Sequence, residues 1–598
     1  MRTIDRSRIG VPALVMALVC LAGCASVPSG GRVVSGRSAE RAEPIAEPYV
    51  RLVPVRPRRD WAPEDIVKGF LIASAAFDDD HEVAREYLTP AANAAWRPGH
   101  RPQVIVLQSA PSISPPPAVG AEALVEVAAA RLGRIGSDGQ YTAQPDTYTT
   151  SFGLARDSAG QWRIDRMPTD LQGGLLLDMS DVDRAFRVLN LYFFDPDGKV
   201  LVPNGIFLPL VNRQDLARQL VAALLAGPTG WLRPAVRSYF PPGTRLEGAG
   251  VAIADGVATV NLSAAAYPAD HARMAAQLSW TLQRLPEVRR IKLQIAGETV
   301  EPAGRGPIQS TEDWEQYNSD TSRGGTEEIV YLRGPDGRPH QLLVNDATPA
   351  GTTGEDHLHR PALSPDQRIA GLDEAGDTVL SGDLMGGTPV RPVLETEHSD
   401  GRFTAPSWDP RGTLWSVELF RGGSTLWMRP GKGQQPVQVQ QWELASHKVL
   451  ALRVARDGVR VAAIVETDDG RQLRLGRIVR GPGGVVGVGE FLPIGSDLVD
   501  VTDLAWGDSN SLAVLGKTKA TATQVTPYWV PVNGGGITPV GSGSLGEAKS
   551  ITAAPGSRIV IGAEINGKNS ICRQSDLRDW RFGEWKCDPL GSEPTYWS

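Results

Sequence analysis

Apolar residues recur with two different periods along the chain, and the switches between them mark out its parts. From 61 to 96 the spacing is helical. Ile66, Val67, Phe70 and Leu71 form one stripe behind Pro63, whose fixed φ suits a first helical position, and Glu64 and Asp65 complement the positive helix end. Val83, Tyr87 and Leu88 mark a second amphipathic helix, and Pro90 opens a third, short one before Trp96. Strand patterns then run over 103–107, 123–132, 147–156 and 161–167. A few helices followed by a run of strands predict a helix-packed, curved antiparallel sheet across 61–180.

A second unit spans 185–301. Residues 186–194 alternate as a strand and end in the turn Asp195-Pro196-Asp197-Gly198. A helix over 215–226 buries Leu216, Leu220, Leu224 and Leu225, and Gly227-Pro228 stops it. A hairpin follows, 251–253 and 257–262 about the turn Asp255-Gly256, then a helix over 271–285 and a strand over 290–295. That order predicts a compact α+β domain, with 302–324 as a linker beyond it.

From 325 to 598 the chain is short strands and Gly/Pro turns. One unit recurs: a strand, a polar tight turn, then an apolar strand. Its copies start at Pro361-Ala362-Leu363-Ser364-Pro365-Asp366, Pro406-Ser407-Trp408-Asp409-Pro410, Leu452-Arg453-Val454-Ala455-Arg456-Asp457, Leu504-Ala505-Trp506-Gly507-Asp508 and Ile551-Thr552-Ala553-Ala554-Pro555. The period of about 45–52 residues is that of a four-stranded blade, which cannot bury both faces alone, so a β-propeller follows. Five repeats are recognisable. Strands at 329–332 and 341–344 belong to a sixth blade or close the ring with C-terminal strands. The fold class is therefore multidomain: two small α+β domains followed by an all-β C-terminal propeller.

The first residues change the picture of where this body resides. Arg2, Arg6 and Arg8 precede a short apolar core and the segment Leu21-Ala22-Gly23-Cys24, the layout of a bacterial lipoprotein signal. Cleavage before Cys24 and lipidation of its thiol are expected, leaving 24–60, rich in Pro, Arg, Glu and Ala, as a flexible tether to the outer face of the cell membrane. Without the leader, which carries three Arg and one Asp, the net charge of −7 becomes −9. An acidic body has no electrostatic footprint for nucleic acid. The dominance of Arg over Lys is the usage of a GC-rich genome. Once Cys20 leaves with the leader and Cys24 is modified, Cys572 and Cys587 remain. They form a disulfide closing a loop of about fifteen residues, or stay as two buried free thiols.

Catalytic signals are sparse. The chain has no His-Glu-x-x-His, phosphate loop or Gly-x-Ser-x-Gly elbow. Gly507-Asp508-Ser509 resembles an esterase block only in a blade turn. Asp356, His357 and His359 set two imidazoles on one strand face without a third metal ligand. No catalytic, cofactor or metal residues are expected. Trp408, Trp415, Trp427, Trp442, Trp506 and Trp529 pack the blades or, where exposed on a rim, bind glycans or a protein partner.

Two segments carry family likeness. The run from Leu220 to Pro228, Pro242-Gly243-Thr244, the run from Val257 to Ser263, and the helix with Gln277, Thr281 and Leu282 resemble the GerMN domain of spore-germination lipoproteins. With the lipobox, the run from Pro63 to Leu71, Tyr87-Leu88-Thr89-Pro90 and the run from Pro361 to Asp366, the whole arrangement resembles the actinobacterial LpqB lipoproteins. That resemblance implies a non-enzymatic role without cofactors. The implied partner is the extracytoplasmic domain of a sensor histidine kinase of the MtrB type, whose two-component signalling in envelope homeostasis and division the protein modulates. A binder of cell-wall glycan and a propeller hydrolase are the alternatives.

Overall fold

The computed structural model describes residues 54–116, 120–210, 215–248, 250–321, 329–343, 346–350, 357–386, 388–431, 433–521, 523–556, 558–574 and 583–596. Cys24, most of the tether and Asp356 lie outside them. The last tether residues do not hang free. The Val55 carbonyl accepts the Tyr87 hydroxyl at 2.6 Å, Arg56 pairs with Glu86 at 2.8 Å, and the Asp60 amide reaches Gln161.

In the first domain the helix Pro63–Ser74 lays Ile66, Val67 and Phe70 on a sheet. The second helix is a single turn, Glu82–Arg85, entered from a 3-10 turn, Asp78–His81. The sheet runs in the order 162–166, 141–156, 122–135, 103–107, 174–178. Its two central strands, Glu122–Ile135 and Tyr141–Arg156, are longer than the alternation predicts and form a projecting ribbon. The strand Gly174–Asp178 pairs parallel to Gln103–Leu107 and was not predicted, because a run buried on both faces shows no alternation.

The second domain pairs Phe186–Phe194 with Leu201–Pro209 and, separately, builds a sheet in which Val257–Leu262 and Arg290–Ile295 run parallel. Helices Leu216–Ala226 and His271–Leu282 share one core with these strands. The expected linker at 302–324 is instead part of this domain through residue 321. Its 3-10 segment Glu312–Tyr317 sinks Trp314 to 1% exposure in that core.

The C-terminal half is a propeller of six sheets among the described residues. The innermost strands contact one another in cyclic order, with Ser592–Thr595 between Glu547–Thr552 and His359–Leu363. Ser592–Thr595 also pairs with Tyr331–Arg333. The early strands thus both build the sixth blade and close the ring with the chain's end.

Candidate functional site

Three sets of residues outside the cores are held in defined polar geometry: the junction between domains, a histidine cluster beside the closing blade, and the propeller channel.

The junction gathers residues from all three domains. At the tip of the ribbon, Asp138 accepts the Gly230 amide at 2.9 Å, Gln140 accepts the Thr229 hydroxyl at 3.0 Å, and the Gly139 carbonyl accepts the Phe207 amide. Tyr141 lies against Gly534 of the propeller. A Cβ there would come within 2.3 Å of the ring, so only glycine, at φ +87°, fits. Trp231 reaches the propeller, its indole N–H donating to the Glu490 carbonyl at 2.6 Å while Arg477 donates to its own carbonyl. The turn expected at 195–198 becomes a second docking point. Arg411 of the propeller pairs with Asp195 at 3.2 Å and Asp197 at 2.7 Å.

Between these contacts lies a buried charge cluster. Asp320 follows the 3-10 segment of the second domain, with Ser509, Arg284, Asp508 and Arg456 around it. Its Oδ1 is shut from solvent without a partner. Burial first, and then Asp508, push the Asp320 carboxyl up to about 6, against the pull of Ser509 and Arg456. Ser509 of the esterase-like block is buried, and its carbonyl accepts from Arg460 at 2.6 Å, a bond between adjacent blades.

Of the candidate trio Asp356, His357 and His359, the two described histidines lie beside an arginine. The guanidinium of Arg333 lies 3.4 Å from His359 Nε2, and His357 Nδ1 crowds Gly337 of the adjoining hairpin next to the same Arg333. Among the described residues no group of three or more His, Cys, Asp or Glu can hold a metal.

The tryptophans are blade-packing residues. Trp408, Trp415, Trp427, Trp442 and Trp506 are buried, and Trp529 is half-buried in a blade core. Each indole N–H of the first five is bonded inward, to Ala362, Asp409, Glu418, Ser424 and Arg453 respectively. None of the first five is left on a rim for a glycan. Cys572 and Cys587 form a disulfide across paired strands of the last repeat.

The channel is lined by all six innermost strands and encloses about 70 Å³. Small-molecule sites occupy roughly 300–1,000 Å³. Its charged lining, Arg360, Arg453, Arg456, Asp503 and Glu593, comes from four blades, and sequence reasoning passed over it. The blades repeat through their apolar positions, and these charges fall outside that pattern.

Three family models match in chain order: the lipoprotein LpqB N-terminal domain over 56–183, a sporulation and spore germination domain over 190–301, and the lipoprotein LpqB beta-propeller domain over 343–583. Lipoprotein LpqB of Thermobifida fusca is 35% identical, covering 94% of this chain and 95% of its own. That of Streptomyces coelicolor is 33% identical over 93% and 95%. Among solved structures, the first GerMN domain of the sporulation protein GerM from Bacillus subtilis is 26% identical with a TM-score of 0.17, covering 21% of this chain and 95% of that one.

Proposed function

Since the chain belongs to the LpqB lipoprotein family, we propose that it is a non-enzymatic accessory subunit, lipidated at Cys24 on the extracytoplasmic face of the cell membrane. In this reading it binds the extracytoplasmic domain of a sensor histidine kinase of the MtrB type and modulates two-component signalling in envelope homeostasis and division. The observation that carries the reading is the continuity of the body: the three domains interlock at one junction, and the channel within is too small for a substrate of ordinary size. A body of this kind presents surface to a macromolecule. In this reading the tether expected over residues 24–60 joins the lipid to the body. No helix among the described residues is long and apolar enough to cross a membrane.

The test is capture of membrane partners by the intact lipoprotein beside a chain ending at residue 321. That cut keeps Trp314 in the core of the second domain. Specific recovery of a sensor kinase is the expected result, and the truncation assigns the binding half. Recovery of wall glycan with no membrane protein would sink the proposal in favour of a ligand binder.

A further inference from the structure

The propeller's two faces differ. The turns that follow the innermost strands, 409–413, 456–459 and 507–511, meet the second domain through Arg411, Val459 and Asn510. Innermost strands of a propeller run in one sense, so their opposite ends point away from that contact. Arg360 and Glu593 lie at those opposite ends of their strands, and with Arg453 and Asp503 they line the channel.

The backbone of these strands is built irregularly in blade after blade. Each of five innermost strands carries extra residues against its neighbour, at His359/Ala362, Val449/Ala451, Val501/Asp503, Ala548/Ser550 and opposite Tyr331/Arg333. Bulges re-aim side chains. Arg360 and Glu593 both sit at φ +52°, a left-handed conformation that costs a branched or long residue free energy and recurs at ligand sites.

The charges so placed are incompletely paired with one another. Arg360 Nη1 stands 3.9 Å from Asp503 and its Nε 3.7 Å from Glu593, and Arg453 Nη2 is 3.9 Å from Asp503. These separations exceed hydrogen-bond length. Each carboxylate spends one oxygen on a backbone amide instead: Asp503 Oδ2 accepts from Ile551 at 3.0 Å, and Glu593 Oε2 accepts from Arg360 at 2.8 Å. Arg453 gives Nη1 to the carbonyls of Ala405 and Leu452. Among the described residues, no acceptor lies at bonding distance from the guanidinium of Arg360 or from Nη2 of Arg453. The void of about 70 Å³ exceeds the roughly 10–15 Å³ that a single water needs and admits a small polyatomic ion.

We propose that the propeller channel binds one small oxyanion, a carboxylate or a phosphate, between the guanidiniums of Arg360 and Arg453. The field at Arg453 agrees with this. Burial pushes that guanidinium below its ordinary value, Asp503 draws it back, and Arg360 lowers it further, so an anion set between the two cations relieves both.

The test is calorimetric titration of inorganic phosphate, and separately of acetate, into the full mature chain at fixed ionic strength. The two arms distinguish the sources. Saturable one-to-one binding of at least one anion is expected, weakened tenfold or more by Arg360→Gln. Arg360 is 43% exposed, so this variant should keep its melting midpoint. Glu593→Gln removes a competing charge while its carbonyl still accepts the Arg360 amide, and it should tighten binding several-fold. Absence of saturable heat from both anions overturns the proposal, as does unchanged affinity in Arg360→Gln. Should that variant fail to fold, unchanged or weaker binding by Glu593→Gln overturns it as well.

Discussion

Two buried carboxylates show opposite ways of carrying a charge inside the protein. Glu418, with its side chain wholly buried, accepts from the amides of Glu397 and His398, from the His398 ring at 2.9 Å and from the Trp427 indole at 3.0 Å. Every one of those donors would lose its acceptor in Glu418→Ala. The expected loss is about 2–4 kcal/mol, read from the urea midpoint, with Glu418→Gln costing less because one oxygen survives. Asp320 is the reverse case, a carboxylate raised to about 6 because burial and Asp508 disfavour its charge. A raised carboxyl contributes stability that is fully present below its unfolded value near 4 and is lost as pH rises through about 6. Wild-type chain should therefore lose stability relative to Asp320→Asn between pH 4 and pH 7, by roughly 1–2 kcal/mol given partial solvent access. Thermal melts of the pair across that range check it; parallel curves would remove Asp320 from the account.

At the scale of elements, the disulfide ties the outer strand Trp585–Asp588 to Lys568–Gln574, across a stretch of 15 residues. Chain entropy assigns such a loop about 3 kcal/mol. Reduction should lower the melting midpoint, and Cys572→Ser with Cys587→Ser should melt like the reduced chain and ignore reductant. What the sequence made legible follows the same physics of exposure. Strands with one wet face, such as Val257–Leu262 and Arg290–Ile295, alternate and were placed residue for residue. Leu201–Pro209 is buried along almost all its length and is interrupted by Pro203, Asn204 and Gly205, so it carried neither alternation nor an unbroken apolar run. The channel charges were hidden for a related reason. Arg360, Asp503 and Glu593 sit in different repeats at irregular positions created by bulges, and periodicity cannot reveal residues that the fold places off-period. Trp314, an isolated aromatic in a polar stretch, gave no sign that it completes a distant core.

At the scale of the whole molecule, function depends on whether the three domains move as one. The first domain sends its ribbon tip to the junction, the second supplies Trp231, and the propeller answers with Glu490, Arg477 and Arg411. Interfaces between domains of one chain are ordinarily small and permit relative motion, but here the contact is keyed by an aromatic anchor. Trp231 packs in a propeller cluster with Leu450, Val532 and Ile537, while its neighbour Leu232 is buried with Val202 and Val459. Truncating a half-buried tryptophan removes apolar contact and orphans the Glu490 carbonyl, a loss of about 2–4 kcal/mol. Because that energy lies between domains, Trp231→Ala should leave each core intact and uncouple them. Calorimetry should then resolve two transitions where the wild type gives one, and hydrogen exchange should rise around residues 202 and 459 alone. If, as proposed above, partner binding at one domain alters what another presents, this coupling is the element that would carry the change, and the same variant would then capture a partner while losing the effect on signalling. A single undivided transition in Trp231→Ala would show that the charged contacts at Arg411 hold the body together without the anchor.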